Sequence, residues 1–440
     1  MKTLRKIKKN GSVLALAICI LAILLVLGVG FLSLGLNSRI VAIRDASVIV
    51  ARTAADAGLA EAIFEMTKKL PNIDAISPTN NSLAGFNASN PANYTYQTEQ
   101  ARSYTSAGFT RWYCRAESQG SYNQAARKVV ARLILQGLAY RPIQVQETVV
   151  LANSTVIGSP GFSDIIIATN STASNALSMT SSTINGDVLV GVDGVPKDVI
   201  KNPGDGTTFN GGQFAATEPY VWIPVTDFMP SSLLNRSSDG NITLGKSATQ
   251  TLGTPGITTE RRYDYIDLDN SAILKIQGKV DLYLKPSNPK SKNALNIGQS
   301  AQLQLDPNDS TASLNIYMDG NLTAGNSGPI NGIDPTTSTP ASADAIRLHI
   351  YGLPNCTSID LTVSGQFYGS IYAQYADIEM KNGFPFVGAI QAKSLTAKNG
   401  GTFTFDERLA EVSPFSPGVR FVIDRWWEGA VGETPPDMMP

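Results

Sequence analysis

The sequence predicts a mainly β protein carried on one long N-terminal α-helix, with the β part forming a parallel β-solenoid and a β-sandwich as the alternative arrangement. Three observations lead there. No charged residue occurs from Asn10 to Ser38, and of the 25 residues from Ser12 to Leu36 only Ser12, Gly28, Gly30, Ser33 and Gly35 are not hydrophobic. Helical spacing continues beyond Arg39 without a turn signal. From Pro142 onward the pattern changes to short β-branched runs between Gly, Asn and Asp turns, none long enough for a helix.

Composition narrows the function before any motif is read. With 440 residues, 42% hydrophobic and 16% charged, the chain can bury a core, which excludes a disordered polyelectrolyte. Lys2, Arg5, Lys6, Lys8 and Lys9 take five of the 35 basic residues, leaving 35 − 5 = 30 against 36 acidic ones in the remainder. No basic stripe follows, so nucleic acid is not an expected partner. One histidine, His349, and three cysteines, Cys19, Cys114 and Cys356, give little material for a Ser/His/Asp triad or a metal site, and no disulfide framework. No catalytic residue, metal or cofactor is expected.

Taken in order, residues 1–11 form a basic leader and residues 12–36 an apolar helix that spans a bilayer core of roughly 30 Å. Five positive charges before the span place the N-terminus in the cytoplasm and the bulk outside, in a single pass through the inner, cytoplasmic membrane. A removable secretory signal has a much shorter apolar core. Residues 37–70 continue the helix amphipathically through Ile43, Ala46, Val50, Ala54, Ala57 and Phe64. Small residues from Ala51 to Ala62 would let another helix approach, and Lys68, Lys69 and Pro71 end the run.

The order of basic leader, Lys9-Asn10-Gly11, an apolar run from Ser12, and then Ala54-Ala55-Asp56-Ala57-Gly58-Leu59-Ala60-Glu61-Ala62 resembles the N-terminus of PilX-type minor pilins of the type IV pilin class. The resemblance covers about residues 5–66. It implies cleavage by a prepilin peptidase between Gly11 and Ser12, and a helix that packs with other pilin-like subunits. Where major pilins carry glutamate at the fifth mature position, this chain has Leu16, a departure common in the PilX-type branch.

Residues 71–141 read as a Pro/Asn/Ser-rich loop followed by an antiparallel hairpin. Trp112, Cys114 and Ala116 alternate with polar neighbours, turn candidates run from Gln119 to Asn123, and Val129, Ala131, Leu133 and Leu135 alternate in the return strand. Residues 142–410 form the solenoid-like domain. Its predicted strands include Asp164–Ala168, Lys279–Leu284, Leu314–Met318, Ile346–Ile350 and Ile359–Val363, with glycines 278, 298 and 320, then 365 and 388, at 20 to 23-residue spacing. The stretch from Gly365 to Leu409 resembles the module of unassigned function that often follows PilX-type N-termini. Phe367, Ile371, Ile378 and Ile390 are expected inside, with Lys381 outside and tolerant of change. Residues 411–440 hold a closing strand and a Pro-rich tail.

Catalytic motifs are weak. Gly240-Asn241-Ile242-Thr243-Leu244-Gly245-Lys246-Ser247 matches the P-loop pattern, but no buried strand precedes it and Gly253, Pro255 and Gly256 follow where a helix is needed. Asp267-Leu268-Asp269-Asn270 begins like a calcium loop whose required glycine is Ala272 and whose glutamate is Gly278. His349 sits in an alternating strand as a satisfied polar group. The expected function is structural: a minor-pilin-like subunit that assembles or decorates the tip of a type IV pilus-like or secretion filament. The alternative is a membrane-anchored solenoid acting as a carbohydrate-active enzyme, with Asp264, Asp267, Asp269, Arg261 and Arg262 as its cluster, or as an adhesin for surface glycans.

Overall fold

A computed structural model describes residues 12–83, 91–106, 109–157, 165–201, 206–287, 293–331, 345–363 and 365–439. The chain divides into two units: Met1–Tyr104 with Trp112–Ile134 and Phe421–Pro440, and Thr105–Arg111 with Leu135–Arg420.

In the first unit a single helix, α1, runs over 58 residues, Ser12–Lys69. It contains no proline, and Lys68 and Lys69 lie in its last turn, where the carbonyl ends favour cations. The large apolar side chains described between Ile18 and Leu36 are all at least half exposed, and the helix is long and apolar enough to cross a membrane. Further along, one face is buried: Ala51, Ala54, Ala55, Leu59, Ala62 and Met66 recur at helical spacing. This face is rotated from the expected one, since Ile43, Ala46 and Phe64 are exposed.

The small residues on the buried face are covered by the chain's own sheet, not by another helix. Strands β1 (Thr79–Leu83), β2 (Ala92–Thr98), β4 (Phe109–Tyr122) and β5 (Ala125–Gln136) lie in the order β1-β2-β4-β5, and β3 (Arg102–Ser106) pairs with β4. The expected hairpin is β4-β5, but β4 runs through Gln119–Tyr122, and the turn is the two residues Asn123-Gln124, with Asn123 at φ 53°. At Gly120 the sheet meets the helix so closely that a Cβ would strike the Ala51 carbonyl and the Ala55 nitrogen. The strand Arg420–Ala430 joins the far edge beside β5. Val129 to Leu133 are consequently buried on both faces, where simple alternation predicts one buried face.

The second unit is a parallel solenoid: every strand pairing described from Ile143 to Thr404 is parallel. Three ladders run along it. One stacks Lys279–Leu284, Ser313–Met318, Leu348–Gly352, Ser370–Ala373, Ala389–Ala392 and Ile143–Val145. A second stacks Ile266–Leu268, Leu295–Ile297, Leu322–Ala324, Ile359–Leu361, Ile378–Met380, Leu395–Ala397 and Val149–Leu151. The third carries the inward column Leu274, Leu303, Ile330, Phe367, Phe386, Phe403, Val156, Ile184. Inward side chains from all three form one continuous core in which Phe367, Ile371, Ile378 and Ile390 are at most 1% exposed. Each such burial is worth about 1.5–3 kcal/mol, which offsets the ordering of many short strands.

Three features differ from the expected regular repeat. The coils are unequal: paired Tyr283, Tyr317, Tyr351, Tyr372 and Gln391 lie 34, 34, 21 and 19 positions apart. The corner between the second and third ladders is carried by Asn153, Ser181, Ser247, Ser271, Ser300, Asn326 and Asn399, all at φ between 47° and 68°, rather than by a periodic glycine. Stacking order also departs from chain order, because the coils from Ile143 onward stack on Pro385–Thr404 and not on Ile242–Leu244. The strand expected at Ile346–Ile350 starts at Leu348, after a 3-10 turn over Ala345–Arg347.

Candidate functional site

The processing position Gly11 lies outside the described residues, and Ser12 is the first residue of α1. Leu16 lies in the first turns of that helix.

On the solenoid, the first ladder turns two columns of side chains outward. One is Asp281, Asn315, His349, Ser370, and the other, two residues on, is Tyr283, Tyr317, Tyr351, Tyr372, Gln391, Gln144. Stacked coils bring identical residues to ladder distance, so four tyrosines scattered over 90 positions become one aromatic strip. Tyr317 and Tyr351 stack with centroids 5.1 Å apart, and Arg262 lies over the Tyr283 ring at 5.4 Å. A connecting segment covers the strip. Trp222 and Phe228 pack on Tyr372, Phe228 on Tyr351, and Val225, Met229 and Leu233 are buried with them. The Tyr372 hydroxyl donates to the Ile223 carbonyl and accepts from its N–H, both at 2.8 Å. Sequence reading missed this strip because it follows coil register, not local spacing.

The cover ends at Tyr372, and beyond it a cleft of about 760 Å³ opens, lined among others by His349, Ser370, Gln391, Asp406, Glu407 and Glu411. Gln391 is 1% exposed. Its Nε2 donates to the Arg141 carbonyl at 2.9 Å, while its Oε1 is buried without a partner among the described residues. His349 is held by Ser370 Oγ at 2.6 Å from Nδ1 and by the Ile346 carbonyl at 2.9 Å from Nε2. A carbonyl can only accept, so Nε2 carries the proton, and burial pulls the imidazole down to about 4. Asp406 caps the 3-10 turn Glu407–Ala410 and takes the Arg408 guanidinium in a two-toothed pair at 2.9 and 2.6 Å.

The carboxylate cluster weighed for catalysis does not converge. Asp267 accepts from Asn296 at 2.7 Å, Asp269 from the Asn270 N–H, the Arg261 guanidinium faces Asp239, and the Arg262 guanidinium donates to the Arg236 carbonyl and lies over Tyr283. In the P-loop-like stretch, Ile242–Leu244 is a strand and the next element is the strand Thr249–Tyr263, so no helix N-terminus faces a phosphate. Gly278, the would-be calcium ligand position, is a corner at φ 63° whose N–H donates to Asp309 at 2.6 Å. No group of three or more His, Cys, Asp or Glu able to hold a metal occurs among the described residues. Cys114 and Cys356 are both buried free thiols, each pushed up to about 12, mainly by burial.

A family model described as a domain of unknown function (DUF7305) matches residues 264–412, which includes the Gly365–Leu409 stretch and reaches upstream of it. Among solved structures, the competence-associated pilin ComZ from Thermus thermophilus is similar at 13% identity and a TM-score of 0.25, over 87% of this chain and 97% of its own. The DUF3494 domain of an ice-binding protein from Shewanella frigidimarina is similar at 14% identity and a TM-score of 0.26, over 61% and 98%. No curated protein matches the chain.

Proposed function

We propose that the protein is a membrane-anchored, minor-pilin-type structural subunit, acting at the tip or in the initiating complex of a type IV pilus-like or related secretion filament. One observation carries the reading: the helix that is apolar enough to cross a membrane continues unbroken into a folded unit, where its small-residue face is sealed by the chain's own sheet. The opposite face, with Ile49 and Phe64 exposed, is left for neighbouring helices of other subunits. The basic leader orients the N-terminus to the cytoplasm across the inner membrane, and Gly11-Ser12 is the cleavage site.

Leu16 supports a terminal position. A carboxylate at that place could pair with the amine of a neighbouring subunit inside an apolar core, whereas leucine leaves such an amine buried and unpaired. Repeated stacking through a shaft is therefore unfavourable, and the solenoid is bulky besides. The role is structural rather than enzymatic, a reading supported by the engagement of Asp267, Asp269, Arg261 and Arg262 in contacts with neighbouring coils and turns. Two measurements test it. N-terminal sequencing of envelope protein should start at Ser12, and an intact Met1 start in cells with an active prepilin peptidase would leave a plain membrane anchor. Quantitative mass spectrometry of sheared filaments should find the chain at low copy. Abundance equal to the major subunit would refute the terminal position, and absence from filaments would favour a membrane-anchored adhesin or enzyme.

A further inference from the structure

Among the described residues, the buried polar groups that face the cleft beyond Tyr372 without a donor of their own are acceptors. Gln391 cannot rotate its amide to supply a donor, because Nε2 is held by the Arg141 carbonyl, and a flip would set oxygen against oxygen. Its Oε1 is thus an acceptor buried in the cleft wall without a donor among the described residues, an arrangement rare in folded proteins. Ser370 is in the same position. With Nε2 of His349 protonated toward Ile346, Nδ1 accepts, so the Ser370 hydroxyl proton is spent on it and only its lone pairs remain. Arg408 neutralises Asp406 by the two-toothed pair. Glu407 and Glu411 make no ion pair among the described residues, so the described side chains that line the cleft carry a net charge of two negatives.

The placement is specific. Four consecutive rungs of the outward column are tyrosines under an apolar cover, and the first rung beyond that cover is Gln391. A ligand that satisfies this wall must donate hydrogen bonds and carry positive charge. A neutral sugar would leave the carboxylates without a counter-charge, and a bare alkylammonium would leave Gln391 and Ser370 unmet. We propose that this cleft binds an amino sugar, with Glu407 and Glu411 as counter-charges to its ammonium and with Gln391 Oε1 and Ser370 Oγ accepting from its hydroxyls. About 760 Å³ is within the range of small-molecule sites and accommodates one or two rings.

The test is calorimetric titration of the full chain in detergent micelles with glucosamine and its β-1,4-linked disaccharide, beside N-acetylglucosamine, glucose and n-butylamine. Glucosamine or its disaccharide should bind, and the other three should bind at least about tenfold more weakly. The double variant Glu407→Gln, Glu411→Gln changes only partly exposed positions, and should weaken amino-sugar binding about tenfold or more with an unchanged melting temperature. Gln391→Leu should weaken both ligands also, and Ser370→Ala repeats that comparison if Gln391→Leu fails to fold. No binding of either amino sugar would overturn the proposal. So would equal binding of N-acetylglucosamine or n-butylamine, or full affinity in the double variant. Disaccharide binding without glucosamine binding marks a polymer as the source, and binding of both marks a free or terminal sugar.

Discussion

Arg132 and Asp424, 292 positions apart, form an ion pair in which Nε donates to Oδ2 at 2.5 Å. The same guanidinium donates from Nη1 to the Met438 carbonyl at 2.9 Å and lies over the Tyr113 ring at 5.1 Å. It therefore fastens the C-terminal strand to the edge of β5 through three kinds of contact, in a setting where the arginine is 8% exposed. Arg132→Ala should destabilise the first unit by about 3 kcal/mol, toward the low end for a broken buried pair because Asp424 keeps some access to water. Asp424→Asn should cost less. Thermal unfolding of the solubilised chain measures both, and limited proteolysis should release the segment after Arg420 first in Arg132→Ala.

Helix and sheet meet at two glycines whose substitution has different expected outcomes. A Cβ at Gly120 collides with backbone atoms of Ala51 and Ala55, which cannot step aside without moving α1. Gly120→Ala should cost about 3 kcal/mol by overpacking. At Gly58 the clash is with the Ser118 hydroxyl and the Tyr94 ring, both side chains, and alanine gains roughly 1 kcal/mol of helix propensity. Gly58→Ala should therefore be much milder. Equal losses in chemical unfolding would mean that the interface yields as a whole.

What could be read from the sequence follows the range of the physics involved. The membrane-length helix and the β4-β5 hairpin were legible because they are written in contiguous residues, and so were the strands around Leu314 and Ile359. The buried helix face was not. Ala51, Ala54, Ala55 and Ala62 are weak apolar signals beside Ile49 and Phe64, and only close approach of a sheet makes them the core. The solenoid class was legible from strand length, but not its stacking, since Asn and Ser at left-handed corners took the place of the glycine period. The tyrosine strip and the Gln391 cleft were invisible for a related reason. Their neighbours are set by unequal coils and by a cover from Trp222 to Leu233, neither of which leaves a local pattern.

Burial of His349 makes stability depend on pH. Its imidazole sits at about 4 in the fold against about 6.5 when unfolded, so between those values the unfolded chain binds a proton that the native one does not. The stability it contributes is complete above about pH 6.5, and falls by about 1.4 kcal/mol per unit as pH drops toward 4. Urea unfolding of the native chain and His349→Gln at pH 7 and 5 should show a smaller loss in the variant. An identical loss would assign the acid sensitivity to other groups.

Two coils are coupled from inside and outside at neighbouring places. Ile371, fully buried, pairs in register with Ile350 and Ile390, so Ile371→Asp should strand a carboxylate in the core and cost about 4 kcal/mol or more. Lys381, expected to be indifferent, instead forms an ion pair with Asp360 of the preceding coil and lies 3.6 Å from Glu379. The hydrogen bond with Asp360 is the main reason its ammonium is raised above the ordinary lysine value. Lys381→Asp would put three carboxylates together and should cost about 1 kcal/mol at low salt, an effect that added salt should largely remove.

The cover over the tyrosine strip offers the sharpest single-atom experiment. Tyr372 uses its hydroxyl twice on one residue, donating to the Ile223 carbonyl and accepting from the Ile223 N–H, while its ring packs against Trp222 and Phe228. Tyr372→Phe keeps the ring and removes both bonds. Two half-buried backbone groups then lose their partner, each at a cost of roughly 0.5–1 kcal/mol, so the global loss should be about 1–2 kcal/mol. The local effect should be larger than the global one. The segment from Trp222 to Leu233 touches the solenoid through side chains and these two bonds and contributes no strand to the sheet, so it can open while the coils stay stacked. Hydrogen exchange should show faster labelling of residues 222–229 in Tyr372→Phe, with the strands Ser313–Met318 and Leu348–Gly352 unchanged. If those strands exchange faster by the same factor, the cover and the coils unfold as one cooperative body.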